Sequence, residues 1–195
     1  MVCFPGGFGT HDEAFEALTL IQTGKSHLIP VVLMHPAGSR FWTTWEEYVK
    51  EHLLKPRLIS SEDTSLYLVT DSVEEAVQEI TRFYRRYHSS RYLGDSLVFR
   101  LQAPLNDEEL ATLNDEFRDL LLSGQFNQGP SLPQEGNDPH IAHLARLSFR
   151  FVKRRFGRLR QLINRINDFE LPQMEGPCSP EVGQGGTIPE ETDPD

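Results

Sequence analysis

Pro5-Gly6-Gly7-Phe8-Gly9-Thr10-His11-Asp12-Glu13 is the stretch on which the fold turns. It follows Val2-Cys3-Phe4, a short apolar run that reads as a strand, and precedes residues 14–21, which read as a helix. A strand, a glycine-rich turn and a helix start make an anion site: glycines let the backbone approach a ligand, and first-turn amides point at negative charge. A phosphate-bearing ligand is therefore the first expectation. Thr10-His11-Asp12-Glu13 also fits a capping box, in which Thr10 caps the helix and Glu13 reaches back to it. Capping does not account for Gly6, Gly7 and Gly9, which cost conformational entropy unless the backbone needs them.

Working outward, the pattern alternates strand and helix. Residues 11–24 form the first helix, with Phe15, Leu18 and Ile21 at helical spacing and Gly24 as its C-terminal cap. Leu28-Ile29-Pro30-Val31-Val32-Leu33-Met34 is a nearly continuous apolar run, as in a parallel strand covered on both faces. Residues 41–54 are helical, and 66–69 are a short strand. Asp71 or Ser72 caps a helix to about His88, with Glu74 and Glu75 in its first turn, where the dipole favours acids. This β-α-β-α-β-α order predicts a parallel sheet with crossover helices.

The pattern changes after about Arg91. Leu97, Phe99 and Leu101 alternate as in a strand, and Asn106 or Asp107 starts a helix to about Leu122. Residues 123–139, rich in Gly, Pro, Asn and Gln, read as a loop. Leu147, Phe149 and Phe151 alternate again, and 156–168 are helical, with Leu159, Leu162, Ile163 and Ile166 on one stripe. The division expected is 1–91, a partial Rossmann-like α/β unit; 92–170, a small α+β appendage; and 171–195, a disordered tail with six acids and no Lys or Arg.

Composition excludes several classes. The chain has 195 residues and a formal net charge of −10, which argues against general nucleic-acid binding. No apolar run approaches the ~20 residues that span a bilayer. Met1 leads straight into the motif strand, leaving no room for a leader, and Cys3 and Cys178 do not suggest a disulfide framework. A cytoplasmic protein is expected. Arg146, Arg150, Lys153, Arg154, Arg155, Arg158, Arg160 and Arg165 form a basic stretch without an acid, read as a solvated face pairing loosely with the acidic tail rather than as an effector or nucleic-acid site. His140 and His143 lack the further ligands a metal needs, so no metal site is expected. Trp42, Trp45 and Tyr48 read as core or dimer contact, and Cys3 as a buried strand residue.

Residues 5–13 resemble the PGGxGTxxE signature of the LONELY GUY (LOG) family, once widely labelled possible lysine decarboxylase. The resemblance extends over roughly residues 2–85, through Leu18-Thr19-Leu20-Ile21-Gln22-Thr23-Gly24-Lys25, the 28–34 strand, Phe41-Trp42 and Asp71-Ser72-Val73-Glu74-Glu75-Ala76. It implies a Rossmann-like fold and a homodimer. It also implies hydrolysis of the N-glycosidic bond of nucleoside 5′-monophosphates such as AMP, cytokinin ribotides included, without a cofactor. Gly6, Gly7, Gly9 and Thr10 would hold phosphate and ribose, and Glu13 would be the catalytic carboxylate. In the family an arginine and a first glycine loop lie upstream of this motif, whereas four residues precede Pro5 here and no downstream arginine matches that position. The resemblance thus implies the C-terminal half of such a domain, with little activity alone and a dependence on association. The other reading open at this point is a non-catalytic nucleotide- or cofactor-binding protein.

Overall fold

The computed structural model describes residues 1–132, 135 and 138–171. The fold is α/β, built on two sheets. The first is parallel, in the order β1-β2-β3, from Val2–Cys3, Val31–Met34 and Tyr67–Thr70. The crossovers are α1 (Phe8–Gln22) and α2 (Phe41–Val49), the latter continued by a π-helical turn, Lys50–Leu54, and a 3₁₀ turn, Ser61–Leu66. Val31, Val32 and Leu33 are fully buried, as the apolar run predicts for a strand covered on both faces. Gly24 ends α1 at φ +71°. Its amide bonds the Ile21 carbonyl at 3.0 Å, and the Lys25 amide bonds that of Leu20 at 2.8 Å, a Schellman closure.

Helix α3 (Val73–Phe83) is capped by Ser72, whose hydroxyl accepts from the Glu75 amide at 3.2 Å. It stops at Phe83, short of the expected His88, because residues 87–93 pair as a strand. The second sheet is antiparallel, in the order β4-β5-β7-β6, from Tyr87–Leu93, Ser96–Leu101, Ala145–Phe151 and Leu121–Gly129. Between β5 and β6 lies α4 (Asp107–Glu116), with a capping box formed by Asn106 and Glu109. The sequence extends this helix to Leu122 and makes 123–139 a loop. In the structure the helix ends at Glu116 and residues 121–129 are strand β6. That strand lies at the sheet edge, paired only with β7, so it needs no apolar alternation. Its one fully buried side chain, Phe126, anchors it, and Asn114 bonds the Phe126 amide at 2.8 Å.

Helix α5 (Phe156–Asp168) joins the halves. A Cβ on Gly157 would come within 2.3 Å of the Glu62 carbonyl oxygen, so only glycine lets α5 approach the 3₁₀ turn. Asn167 donates to the Phe83 carbonyl at 2.7 Å and accepts from the amides of Arg86 and Tyr87 at 2.8 and 2.9 Å, fixing the passage from α3 to β4. One cluster of buried side chains runs through both halves, from Cys3 and Trp42 to Phe99, Phe149 and Ile163.

The basic stretch is only in part the solvated face its charge suggests: Arg150, Lys153 and Arg154 are exposed, but others are not. Arg146 and Arg160 are 2% and 3% exposed. Arg146 pairs with Glu135, Arg160 with Glu79, Arg155 with Glu62 and Asp119, and Arg165 with Glu116. Acids from other elements, invisible to local charge counting, turn Arg146 and Arg160 inward and pair Arg155 and Arg165 at the surface. The expected acidic tail lies outside the described residues from 172 onward.

Candidate functional site

The three parallel strands end side by side. Cys3 lies in register with Leu33, and Met34 with Thr70. Residues 4–7, 35–40 and 71–72 leave from this carboxyl edge, where open α/β sheets bind ligands.

The motif supplies the first of these turns. Helix α1 begins at Phe8, with Gly7 as its extended N-cap. The capping box expected at Thr10 is therefore not formed. Thr10 is the third helical residue, its amide bonding the Gly7 carbonyl at 3.1 Å, and Glu13 is exposed one turn further on. No side chain caps α1 and no acid lies in its first turn. The amides of Phe8 and Gly9, ahead of the Thr10–Gly7 bond, have no carbonyl partner within the helix, so this end is left as an uncapped positive pole.

Gly6 is required internally, since a Cβ there would lie 2.1 Å from the Thr10 hydroxyl oxygen. At Gly7 and Gly9 a Cβ would meet nothing within 4 Å. Packing does not demand these two glycines, and their open faces leave room for a ligand to reach the backbone. Gly9 and Glu13, four residues apart, share a face of α1. The structure thus gathers Gly6, Gly7, Gly9 and Thr10 at one turn, with Glu13 directly above.

Two histidines belong to this neighbourhood without having been singled out by the sequence reading. His35, 5% exposed, follows β2 directly. Its amide donates to the Thr70 carbonyl at 3.1 Å, and its Nε2 lies 3.4 Å from the Thr43 hydroxyl. His11 packs on Phe41 and Trp42, with ring centres 5.2 and 5.4 Å away. Trp42 donates its indole N–H to the Cys3 carbonyl at 3.0 Å, tying α2 to the end of β1. The position of His35 at the end of an apolar run was the available signal. Trp42 and Trp45 are core residues, whereas Tyr48 is 51% exposed and lies against His52.

Burial pushes the Cys3 thiol up, the N-terminal ammonium pulls the other way, and the Glu13 carboxylate adds to the rise. Cys3 is a neutral strand residue, not a thiolate nucleophile. His140 and His143 lie exposed in a turn. Among the described residues no three His, Cys, Asp or Glu side chains cluster as metal ligands, and no helix is long and apolar enough to cross a membrane.

Residues 1–80 match the family model described as "Possible lysine decarboxylase". The match, over less than half of the chain, supports the resemblance of residues 1–80 to the LOG family of the motif. The match ends within α3, so it takes in the whole parallel sheet and none of the antiparallel one. Comparison with curated proteins returned no match.

Proposed function

We propose that the carboxyl edge of the parallel sheet binds a nucleoside 5′-monophosphate such as AMP, and that the protein hydrolyses its N-glycosidic bond to free base and ribose 5-phosphate. The observation that carries this reading is the bare N-terminus of α1, with no capping side chain, no first-turn acid, and open faces at Gly7 and Gly9. A phosphate there completes the hydrogen bonds of the first turn and meets the positive end of the helix. Gly6 and Thr10 hold the turn that presents these amides.

Glu13, one turn above, is the carboxylate that faces the ribose in this arrangement. Cleavage passes through an oxocarbenium-like sugar, which a nearby negative charge stabilises, and a carboxylate also positions or deprotonates the attacking water. The water oxygen joins C1′, the C1′–N bond breaks, and the base leaves with its proton restored. The reading includes a homodimer, as the family resemblance implies, and a cytoplasmic location, as the two widely separated cysteines suggest.

A second reading is nucleotide binding without catalysis. What favours it is the exposure of Glu13, since catalytic groups are ordinarily held by supporting contacts. Incubation with AMP and chromatography of released adenine separates the two. Hydrolysis by the wild type, reduced ~10²–10⁴-fold in Glu13→Gln with an unchanged melt, supports catalysis. AMP binding without release, or wild-type turnover in Glu13→Gln, supports the binding protein.

A further inference from the structure

Helix α3 carries two apolar faces, and the core uses only one. Ala76 and Phe83, 5% and 1% exposed, point inward. Val73, Val77 and Tyr84 stand outside, 57%, 53% and 43% exposed, with Ile80 half-buried between the last two. A surface helix ordinarily keeps one apolar stripe and makes the rest polar. Nothing local recommends valine at two such positions, since a β-branched side chain is a weaker helix former than Ala, Glu or Lys.

The spacing says what kind of surface this is. Val73, Val77, Ile80 and Tyr84 follow one another at intervals of four, three and four. That is the alternation of a coiled-coil seam, along which one helix packs against another.

The charges say which helix. On the solvent side of the stripe lie Glu74, Gln78, Thr81 and Arg85, all exposed. Acids stand at the start of α3, in Glu74 and Glu75, and bases at its end, in Arg82 and Arg85. Arg82 is paired with Asp168, whereas Arg85 gives one N–H to the Asn167 carbonyl at 3.2 Å and meets no carboxylate among the described residues. A second α3 laid alongside in the same direction sets Glu74 against Glu74 and Arg85 against Arg85. Laid in the opposite direction, it sets Val73 against Tyr84 and Val77 against Ile80, and brings Glu74 of each helix to Arg85 of the other. One two-fold axis, midway along α3, serves the stripe and both ion pairs, so the face is complementary to itself. The opposed helix dipoles favour the same arrangement.

We propose that α3 is a self-association face, on which two copies of this chain pair antiparallel through Val73, Val77, Ile80 and Tyr84 and are closed by two Glu74–Arg85 ion pairs. This names a contact for the homodimer of the proposed reading and rests on that part of it alone, not on AMP binding or hydrolysis. The seam is about three helical turns long, so the association is weak and rises with concentration.

Sedimentation velocity of the full chain over a concentration series, with a thermal melt of each variant, tests this. The wild type should pass from monomer to dimer as concentration rises. Val77→Glu should stay monomeric with its melt unchanged, since the position faces water. Glu74→Arg and Arg85→Glu should each weaken the dimer roughly 3- to 30-fold, because both ion pairs become repulsions, and the double variant should return to within about threefold of the wild type. A wild type that stays monomeric to millimolar concentration overturns the proposal and the homodimer with it. A dimer that survives Val77→Glu overturns the proposal but keeps a homodimer, through another face. A double variant no tighter than the single ones overturns the antiparallel pairing.

Discussion

The two halves of the molecule use charge in opposite ways. In the parallel half, Arg40–Glu47, Lys50–Glu46 and Lys55–Glu51 lie on the surface, with cation side chains 71%, 55% and 70% exposed. In the antiparallel half Arg86, Arg100 and Arg146 turn inward, while Arg150 stays at the surface beside Asp95. Arg86, 1% exposed, bonds both oxygens of Glu109 at 3.0 and 2.9 Å, and Glu135 accepts from Arg146 at 2.7 Å and Arg100 at 3.0 Å. The parallel half is held by Val31, Val32, Leu33 and Trp42, and leaves backbone amides and glycine faces open at one edge. The antiparallel half closes its polar groups on one another. Substitutions at the open edge should therefore change binding without stability, and substitutions of the buried pairs should change stability without binding.

The largest effect that would break this contrast concerns Glu135. Removing one partner of a buried ion pair strands the others, at a cost of about 3–5 kcal/mol, whereas an exposed pair contributes about 0–1 kcal/mol. Glu135→Ala should therefore lower the urea midpoint severely, and Lys55→Ala should barely move it. Similar losses in the two would erase the distinction between the halves.

The same carboxylate gives the contrast a pH signature. Burial by itself would raise the Glu135 acid, but hydrogen bonds from Arg146, the Leu132 amide and Arg100 outweigh it and hold it below the usual range. Its contribution is then fully present above the ordinary glutamate value of about 4.3 and is lost as pH falls through the depressed folded value. Melts followed into acid should lose less stability with falling pH in Glu135→Gln than in the wild type. Equal acid slopes would remove Glu135 from the titration.

A smaller effect compares two helix starts. Asn106 and Glu109 form a capping box at α4, while Thr10 and Glu13 form none at α1. Asn106→Ala should cost about 1 kcal/mol, since the cap is lost. Thr10→Ala should leave the melt nearly unchanged and weaken nucleotide binding instead. A cost of about 1 kcal/mol at Thr10 would restore the capping role that the geometry denies it.

What the sequence made legible follows from burial. The run at 28–34 and the alternation of Leu147, Phe149 and Phe151 lie in β2 and β7, interior strands of their sheets, where packing dictates the residue type. The edge strands β4 and β6 were missed, one read as the end of a helix and the other as a loop. An edge strand is recruited by backbone pairing, which Ser89, Ser90, Ser123 and Asn127 satisfy as well as apolar residues would. The motif turn stood out through its glycines, but the start of α1 did not, because Phe8-Gly9 reads as loop and yet lies in the first helical turn. The role of the buried arginines was hidden for another reason. Their acids come from other elements, so only the fold brings each charge to its partner.

The most direct test of the account is calorimetric titration of AMP into the wild type and Gly9→Asp, with a thermal melt of each. The new side chain enters open space, and an acid at a helix N-terminus favours the helix, so the melt should hold or rise slightly. The carboxylate would occupy and repel the phosphate position, so AMP binding seen in the wild type should be lost in the variant. Equal AMP affinity in two equally stable proteins would contradict the central claim that the start of α1 is the phosphate site.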